Sequence, residues 1–407
     1  MNLPRGFLAS GVRSGVRKKR PDLALIVVGG GSGRGGTGVA AAPATAAALF
    51  TRNRFQAAPV TISRESLRAT GGRVRGVVIN AGCANAVTGR AGHAAARRVQ
   101  AAAAGLLSCA RQEILLASTG VIGVMLPDAK LRAALPAALM RLSSSGLAAA
   151  SHAILTTDVG PKVAQATYRW NGRRGRLVGF GKGAGMIHPN MATMLAFVMT
   201  DAPATAPFLK AALRRAADES FHTISVDGDT STNDTVMVLA SGRLPGPRMA
   251  GATSPATASF RRALTEVCRQ LAFMIVRDGE GATRLMEIQV NGARTAKDAQ
   301  LAAHAVATSP LVKTALFSGD PNWGRILATV GRSGARFSPR NVTLKVADLT
   351  LVEHGSPVAY RERDAARRFA KDRVLITIDL GSGGGSASRI TCDLGHDYVS
   401  LNADYRS

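Results

Sequence analysis

The chain has 407 residues, 46% of them hydrophobic, which is enough to bury the cores of about two or three domains. Its four scattered cysteines form no CxxC pattern and its seven histidines form no HExxH pattern, so no metal site is predicted, and no apolar run approaches the roughly 18 to 20 residues of a membrane helix. The net charge is +26, but only 4% of the residues are aromatic and no nucleic-acid-binding motif is visible, so a solvated basic surface is favoured over nucleic-acid binding.

The first half of the chain alternates between apolar runs rich in Val, Ile and Leu and helical patterns. The apolar runs predict strands at 23–28, 75–80, 113–118, 176–180 and 194–199. An alanine-rich helix is predicted over 91–107, and a second helix over 131–142 is expected to be interrupted or kinked at Pro136.

The second half contains two amphipathic helices, predicted over 207–220 and 258–277. Further strands are predicted at 222–226, 235–241, 286–290, 342–346 and 373–379. Low-complexity stretches predict loops at 29–38, 143–151, 244–259 and 381–388. Because strands and helices mix with several antiparallel-looking neighbours, the pattern favours a layered α+β fold over a doubly wound sheet.

The segment 182–194, Lys-Gly-Ala-Gly-Met-Ile-His-Pro-Asn-Met-Ala-Thr-Met, carries most of the functional information. Its glycine-rich loop runs through Pro189 to Ala192 and Thr193, immediately before a predicted buried strand. A threonine at such a junction can cut the chain before itself and become a nucleophile, because the α-amine that is released, with a reference pKa of roughly 7.7 to 8.0, can serve as its base. By residue type alone an ordinary strand-entry threonine is favoured, so the decision depends on other segments.

Two motifs resemble ligand sites but fail a closer test. The stretch from Gly31 to Gly36 fits GxGxxG, yet Pro43 interrupts the expected helix and no acid follows at the spacing of a dinucleotide site, so a surface insertion is favoured. The stretch from Asp227 to Ser231 resembles the start of a calcium loop, but Thr232 stands where the sharp-turn glycine is required. It is interpreted as a polar turn after a strand.

Other polar segments admit both a structural and a functional interpretation. The glycine of Ser118-Thr119-Gly120 leaves backbone N–H groups accessible for an oxyanion hole, although a tight turn explains it equally well. Glu280, after the helix that ends near Arg277, could bind an ammonium group or simply belong to a helix C-cap. Further polar clusters occur at 156–158, 320–325 and 402–407.

Together these segments resemble one family, the glutamate N-acetyltransferases of arginine biosynthesis, also called ornithine acetyltransferases. The resemblance covers nearly the whole chain, in order, through segments 6–26, 50–60, 79–85, 118–123, 156–158, 182–195, 225–234, 277–283, 319–325 and 402–407. The segment around Thr193 and the C-terminal hexapeptide are its most specific parts.

The resemblance implies a layered αββα-type sandwich shared with a group of self-cleaving aminopeptidases. It implies self-cleavage between Ala192 and Thr193, giving an alpha chain, 1–192, and a beta chain, 193–407, that assemble as two of each. The family is cytoplasmic in prokaryotes and mitochondrial in fungi, and a cytoplasmic location is expected here.

The resemblance also implies the roles of individual residues. Thr193 is expected to be the nucleophile, with Thr119 and Gly120 as the oxyanion hole. The expected substrate-binding residues are Thr156, Thr157, Lys182, Thr193, Glu280, Asn402 and Ser407. The implied reaction moves an acetyl group from N-acetylornithine to glutamate in a ping-pong scheme. No cofactor is expected, although acetyl-CoA is a candidate second donor. The alternative is an N-terminal-threonine amidohydrolase or aminopeptidase on the same scaffold.

The chain departs from the family pattern at several positions. Cys83 stands where Asn is usual, Ala184 where Ser is usual, and Arg389 where Trp is frequent. The insertion at 29–39 and the high positive charge are also unusual. Because Ala184 lies nine positions before the nucleophile, it is expected to slow self-cleavage without abolishing it.

Overall fold

The computed structural model describes residues 1–29, 42–188, 194–251 and 253–404. Several sequence predictions fall outside these residues: the stretch from Gly31 to Gly36, the cleavage pair Ala192 and Thr193, and the terminal Ser407. The strands are β1 (Phe7–Val12), β2 (Leu23–Val28), β3 (Ala44–Phe50), β4 (Arg73–Val74), β5 (Gly76–Cys83), β6 (Ile114–Val121), β7 (Lys162–Trp170), β8 (Arg173–Lys182), β9 (Leu195–Thr200), β10 (Ile224–Ser225), β11 (Thr235–Ala240), β12 (Leu285–Ala293), β13 (Thr343–Val346), β14 (Leu349–Glu353), β15 (Ser356–Pro357), β16 (Arg373–Asp379) and β17 (Gly385–Cys392).

Helices cover the outer faces of the sheets and connect their strands. They are α1 (Ala58–Thr70), α2 (Gly89–Leu106), α3 (Asp128–Met140), α4 (Leu147–Ala153), α5 (Ala206–Asp218), α6 (Ala258–Arg277), α7 (Ala296–Ala307), α8 (Pro310–Ser318), α9 (Trp323–Gly331), α10 (Glu362–Phe369) and α11 (His396–Asp404). Among the described residues, none of these helices has the length and apolar character needed to cross a bilayer.

Two sheets form the centre of the fold. The first has the order β1-β2-β5-β6, and its β5 and β6 run parallel, which places Gly82 opposite Gly120. The second has the order β4-β3-β11-β9-β8-β7. In the second sheet β8 and β9 are antiparallel, with Lys182 opposite Leu195. The polypeptide on either side of the predicted cleavage site is therefore held in one hydrogen-bonded sheet.

The two sheets pack face to face and bury apolar side chains between them. Ile26 and Ile79 of the first sheet share this core with Phe180 and Phe197 of the second, whose ring centroids are 5.4 Å apart. Helices α1, α2 and α3 cover the outer face of the first sheet, and α5 and α6 cover that of the second. The order of layers is helix, sheet, sheet, helix, so the predicted αββα arrangement is confirmed.

A third sheet, with the order β10-β17-β12-β16-β13-β14-β15, follows in the C-terminal half. It packs against α7, α8, α9 and α10 around its own apolar core. The strands predicted at 286–290, 342–346 and 373–379 belong to this sheet, but the sequence did not indicate that they form a separate one. The alternating apolar pattern of a strand does not reveal which sheet it joins.

The predicted interruption at Pro136 is wrong, because α3 runs through it from Asp128 to Met140. Pro136 is exposed, so the carbonyl that loses its helical hydrogen bond can be hydrated instead. The loop predicted at 143–151 is partly wrong, since α4 begins at Leu147, and the loop predicted at 381–388 overlaps β17. The strand predicted at 222–226 is only the two-residue β10.

Two glycines allow helix α4 to lie close against β1. The chain continues from the end of α4 into the polar cluster at 156–158. A Cβ built on Gly11 would lie 2.0 Å from the carbonyl oxygen of Ala149. A Cβ on Gly146 would lie 1.8 Å from the carbonyl oxygen of Ala9. Because both obstacles are backbone atoms, neither contact can be relieved by a side-chain rotation.

We expect Gly11→Ala to lower the free energy of unfolding by roughly 1 to 3 kcal/mol, since α4 must move away from β1. The control is Gly105→Ala in α2, where the added methyl group meets no atom within 4 Å. It is expected to raise the same free energy by roughly 0.5 to 1 kcal/mol, because alanine favours a helix over glycine. Urea unfolding measures both. Equal effects of the two substitutions would contradict the close contact.

Candidate active site

A cavity of about 230 Å³ lies where the ends of β6 and β8 meet helix α11. Its lining includes every predicted site residue that the structure describes: Thr119, Gly120, Thr156, Thr157, Lys182, Glu280 and Asn402. Residues that are more than 200 positions apart in the chain thus contribute to one concave, polar site. Such a convergence of polar groups in a cleft is typical of a small-molecule site.

Thr119 and Gly120 lie at the end of β6, where the backbone turns toward the cavity. Gly120 has φ +127°, and a Cβ there would lie 2.4 Å from the carbonyl carbon of Gly82. Only glycine fits this position, because both the dihedral angle and the parallel neighbour exclude a side chain. The Thr119 hydroxyl is buried and accepts a hydrogen bond of 3.3 Å from Lys182 Nζ. Among the described residues, no acceptor takes the hydrogen of the Thr119 hydroxyl, so it can be donated to a ligand.

Lys182 ends β8 with its side chain only 3% exposed, and its ammonium group lies 3.8 Å from the Asp158 carboxylate. Asp158 also accepts hydrogen bonds of 2.6 Å from Lys162 Nζ and from the Gly183 amide. Lys162 forms a second ion pair with Asp278. Four charged groups therefore form one buried network beneath the cavity.

The network sets the protonation of its members. Burial raises the pKa of Asp158, but Lys182 and Lys162 outweigh that effect, and the pKa of Asp158 is lowered overall. Burial lowers the pKa of Lys182, and Asp158 offsets only part of this. A substrate carboxylate beside Lys182 would stabilise the ammonium form further. The sequence places Asp158 in a polar cluster but does not reveal its role, because its contacts with Lys182 and Gly183 form only in the folded chain.

Glu280 is half-buried beside the backbone of the segment 182–188. Its amide donates to the Ala184 carbonyl at 3.0 Å, and its Oε2 accepts a hydrogen bond of 2.9 Å from the Asn402 side chain. A Cβ on Gly185 would lie 2.3 Å from that same Oε2, so glycine is required for the carboxylate to sit here. Glu280 points into the cavity lining and does not act only as a solvated helix cap.

Asp227 is a cavity residue whose role was missed. Its carboxylate accepts hydrogen bonds from the amides of Met186 and Ile187, the second at 3.0 Å, and so holds the strand-to-loop segment in place. Burial raises its pKa. The Asp-Gly-Asp pattern was recognised in the sequence, but only as a failed calcium loop. Within the described ranges, no cluster of His, Cys, Asp and Glu has the arrangement of a metal site.

Asn233 and Asp234 connect the two central sheets next to the cavity. The Asn233 amide donates to the carbonyls of Ala84 and Ser118 at 2.7 and 2.9 Å. Asp234 Oδ1 accepts a hydrogen bond of 3.2 Å from the amide of Met194, the residue that follows Thr193. Burial raises the pKa of Asp234 well above its ordinary value. These contacts fix the start of β9 relative to the end of β6, and no sequence motif indicated them.

The charges of the cavity suit an amino-acid derivative. Lys182 supplies a cation, while Glu280, Asp227 and Asp229 supply carboxylates. A ligand with a carboxylate at one end and an ammonium at the other could pair with both kinds of group. The hydroxyl of Thr119 and the amide of Gly120 can then donate to an oxyanion formed between the two ends.

Two of the three departures from the family pattern lie close to this cavity. Cys83 is buried, and its thiol donates to the Val124 carbonyl at 3.4 Å. Ala184 is buried, with its carbonyl accepting from Glu280. Its expected effect on cleavage rate stays a prediction. Arg389 does not line this cavity.

The chain is similar to known proteins over nearly its whole length. It matches the ArgJ family over residues 8–407. It is 44% identical over 409 residues to the arginine biosynthesis bifunctional protein ArgJ of Symbiobacterium thermophilum, covering 99% of this chain and 98% of that protein. It is 43% identical over 418 residues to the mitochondrial ArgJ protein of Schizosaccharomyces japonicus, covering 99% and 93%.

Among solved structures, the ArgJ protein of Bacillus halodurans overlaps 51% of this chain and 98% of that chain, with 38% identity and a TM-score of 0.49. The family match spans almost the entire sequence. The relatives at more than 40% identity are also matched nearly end to end. The chain therefore belongs to the ArgJ family.

Proposed function

We propose that this chain is the acetyltransferase of arginine biosynthesis that moves the acetyl group of N2-acetylornithine to glutamate through an ester on Thr193. Acyl transfer in arginine biosynthesis is the activity of its family. The single observation that supports the substrates is the cavity that places buried Lys182 and half-buried Glu280 around Thr119 and Gly120. These groups match the charges of both amino acids.

The active form is proposed to arise by self-cleavage. The Thr193 hydroxyl attacks the Ala192 carbonyl, the peptide nitrogen leaves as the α-amine of Thr193, and water hydrolyses the resulting ester. The products are an alpha chain, 1–192, and a beta chain, 193–407, proposed to assemble as two of each. The pairing of β8 with β9 supports this scheme, because the cut leaves the sheet hydrogen bonds on both sides intact.

Acetyl transfer follows in two half-reactions. The α-amine accepts the hydroxyl proton of Thr193 while the oxygen attacks the acetyl carbonyl of N-acetylornithine. Thr119 and Gly120 donate to the oxyanion that forms, an effect worth roughly 3 to 4 kcal/mol per donor in comparable sites. Ornithine leaves as the protonated amine. Glutamate then attacks the acetyl ester with its own α-amine and regenerates Thr193.

The remaining residues are assigned to substrate binding. Lys182 pairs with a substrate carboxylate. Glu280 pairs with the side-chain ammonium of N-acetylornithine, and Asn402 holds the side chain of Glu280 in place. Thr156 and Thr157 line the same cavity. Ser407 is assigned only from the resemblance.

The relatives are described as bifunctional, which supports acetyl-CoA as a second donor to the same ester. No other cofactor is proposed. A cytoplasmic location is proposed for this chain, whereas one of its relatives is mitochondrial.

An amidohydrolase on the same scaffold is the alternative, and the family relationship does not favour it. The test measures ornithine release from N-acetylornithine with and without glutamate. A transferase accumulates ornithine continuously only when glutamate is present, and then forms N-acetylglutamate in equal amount. Equal ornithine release without glutamate would identify a hydrolase. Replacing N-acetylornithine with acetyl-CoA in the same assay tests the second donor.

Intact mass spectrometry tests the cleavage. We expect two chains for the wild type, split after Ala192, and one uncut chain for Thr193→Ala, because alanine has no nucleophilic oxygen. Thr193→Ser is the control, since it keeps a hydroxyl group and is expected to be cut. An uncut wild type with full activity would refute the mechanism.

Steady-state kinetics test the role of Glu280. We expect Glu280→Gln to lower kcat/KM for N-acetylornithine by about tenfold to hundredfold, because a charge-assisted hydrogen bond to the ammonium is lost. The matched control donor is N-acetylnorvaline, which has the same carbon chain without the amine and should lose much less. Equal losses for both donors would show that Glu280 does not bind the ammonium.

A further inference from the structure

A second cavity, of about 550 Å³, lies outside the active site between α7, β17 and the turn that follows α5. Lys297, Gln300 and His304 line it from one face of α7, at the spacing of successive helical turns. Arg389 of β17 and His222 complete this part of its wall. None of these residues lines the active-site cavity.

Arg389 is a half-buried cation with no counter-ion among residues 1–29, 42–188, 194–251 and 253–404. Its Nη1 donates to the neighbouring Ser388 carbonyl at 2.8 Å, and its buried Nε has no hydrogen-bond partner in those ranges. Burial lowers the pKa of this guanidinium group. A desolvated, unpaired guanidinium is unfavourable, so an anion placed beside it would gain a charge-assisted hydrogen bond.

His222 adds a second unsatisfied nitrogen to the same wall. Its Nδ1 pairs with the Asp218 carboxylate at 2.9 Å, while its buried Nε2 has no partner in the described part of the chain. Asp218 is the acid that lines this cavity, and its hydrogen bond to His222 is already formed.

We propose that this cavity is a binding site for a small oxyanion, a carboxylate or a phosphate group, held by Arg389 and Lys297. The guanidinium supplies a directed donor from the half-buried side, and Lys297 supplies an exposed charge at the entrance. The unpartnered Nε of Arg389 receives an acceptor when the anion is bound.

The anion site adjoins the active site through one stacked pair of rings. His304 of the anion site packs on His188, with ring centroids 4.8 Å apart. Burial, followed by the neighbouring His304, lowers the pKa of His188 to about 4, while Asp229 opposes this. Burial and then Arg389 also lower the pKa of His304. Both rings are therefore neutral near pH 7, and the cationic charge of the site comes from Arg389 and Lys297.

The test is isothermal titration of the whole protein with inorganic phosphate and, separately, with citrate, at constant ionic strength. We expect saturable binding of one anion per chain to the wild type. Arg389→Gln and Lys297→Gln are expected to weaken the affinity by roughly tenfold to a hundredfold, since each removes a charged donor. The matched control for net charge is Arg174→Gln, which removes an exposed arginine of β8 that does not line this cavity. The Arg174→Gln protein should bind the anion as the wild type does.

Binding of phosphate alone identifies a phosphate group as the ligand, and binding of citrate alone identifies a carboxylate. Arg389→Trp fills the position with an aromatic ring, so it tests the charge separately from the packing, and it is expected to lose binding as well. Equal affinities for the Arg389→Gln and Arg174→Gln proteins would overturn the proposal. Acetyl transfer is not the readout, so failure of this site would leave the proposed reaction unaffected.

Discussion

The buried carboxylate of Asp158 is the interaction on which the rest of the site depends. It forms ion pairs with Lys162 and Lys182 and accepts a hydrogen bond from the Gly183 amide. These contacts fix the end of β8 at the floor of the cavity. Burying four charged groups is costly, and the cost is offset only while each charge has its partner. Loss of Asp158 would leave buried Lys182 without its ion-pair partner.

The second constraint is the pairing of β8 with β9. These strands flank the segment that contains Ala192 and Thr193, and their register sets Lys182 opposite Leu195. Asp234 and Asn233 attach the start of β9 to the first sheet, where Thr119 and Gly120 end β6. These contacts fix the start of β9, next to the proposed nucleophile, relative to the end of β6, which carries the proposed oxyanion hole.

Much of the fold was predictable from local patterns. The boundaries of β2, α6 and β16 follow the sequence prediction because their apolar periodicity is strong and their ends carry turn residues. Helix α3 was predicted to be interrupted or kinked at Pro136, and it is not interrupted, because the carbonyl that loses its helical hydrogen bond to the exposed proline can be hydrated. The start of strand β17 was predicted to be a loop because it is rich in glycine and serine. Its pairing with β12 makes it a strand.

By itself, the sequence determined which residue types the site contains: a threonine after a glycine-rich loop, a Thr-Gly pair at a strand end, one lysine and one glutamate. Each of these signals depends only on the residue types within a short segment. Only the tertiary structure decided their charge environment, since Lys162 bridges Asp158 and Asp278, which are 120 positions apart in the chain, and Asp158 also pairs with Lys182. It also decided that Arg389 lies half-buried with no ion-pair partner among the residues that the structure describes, because desolvation and pairing depend on neighbours that no single segment supplies.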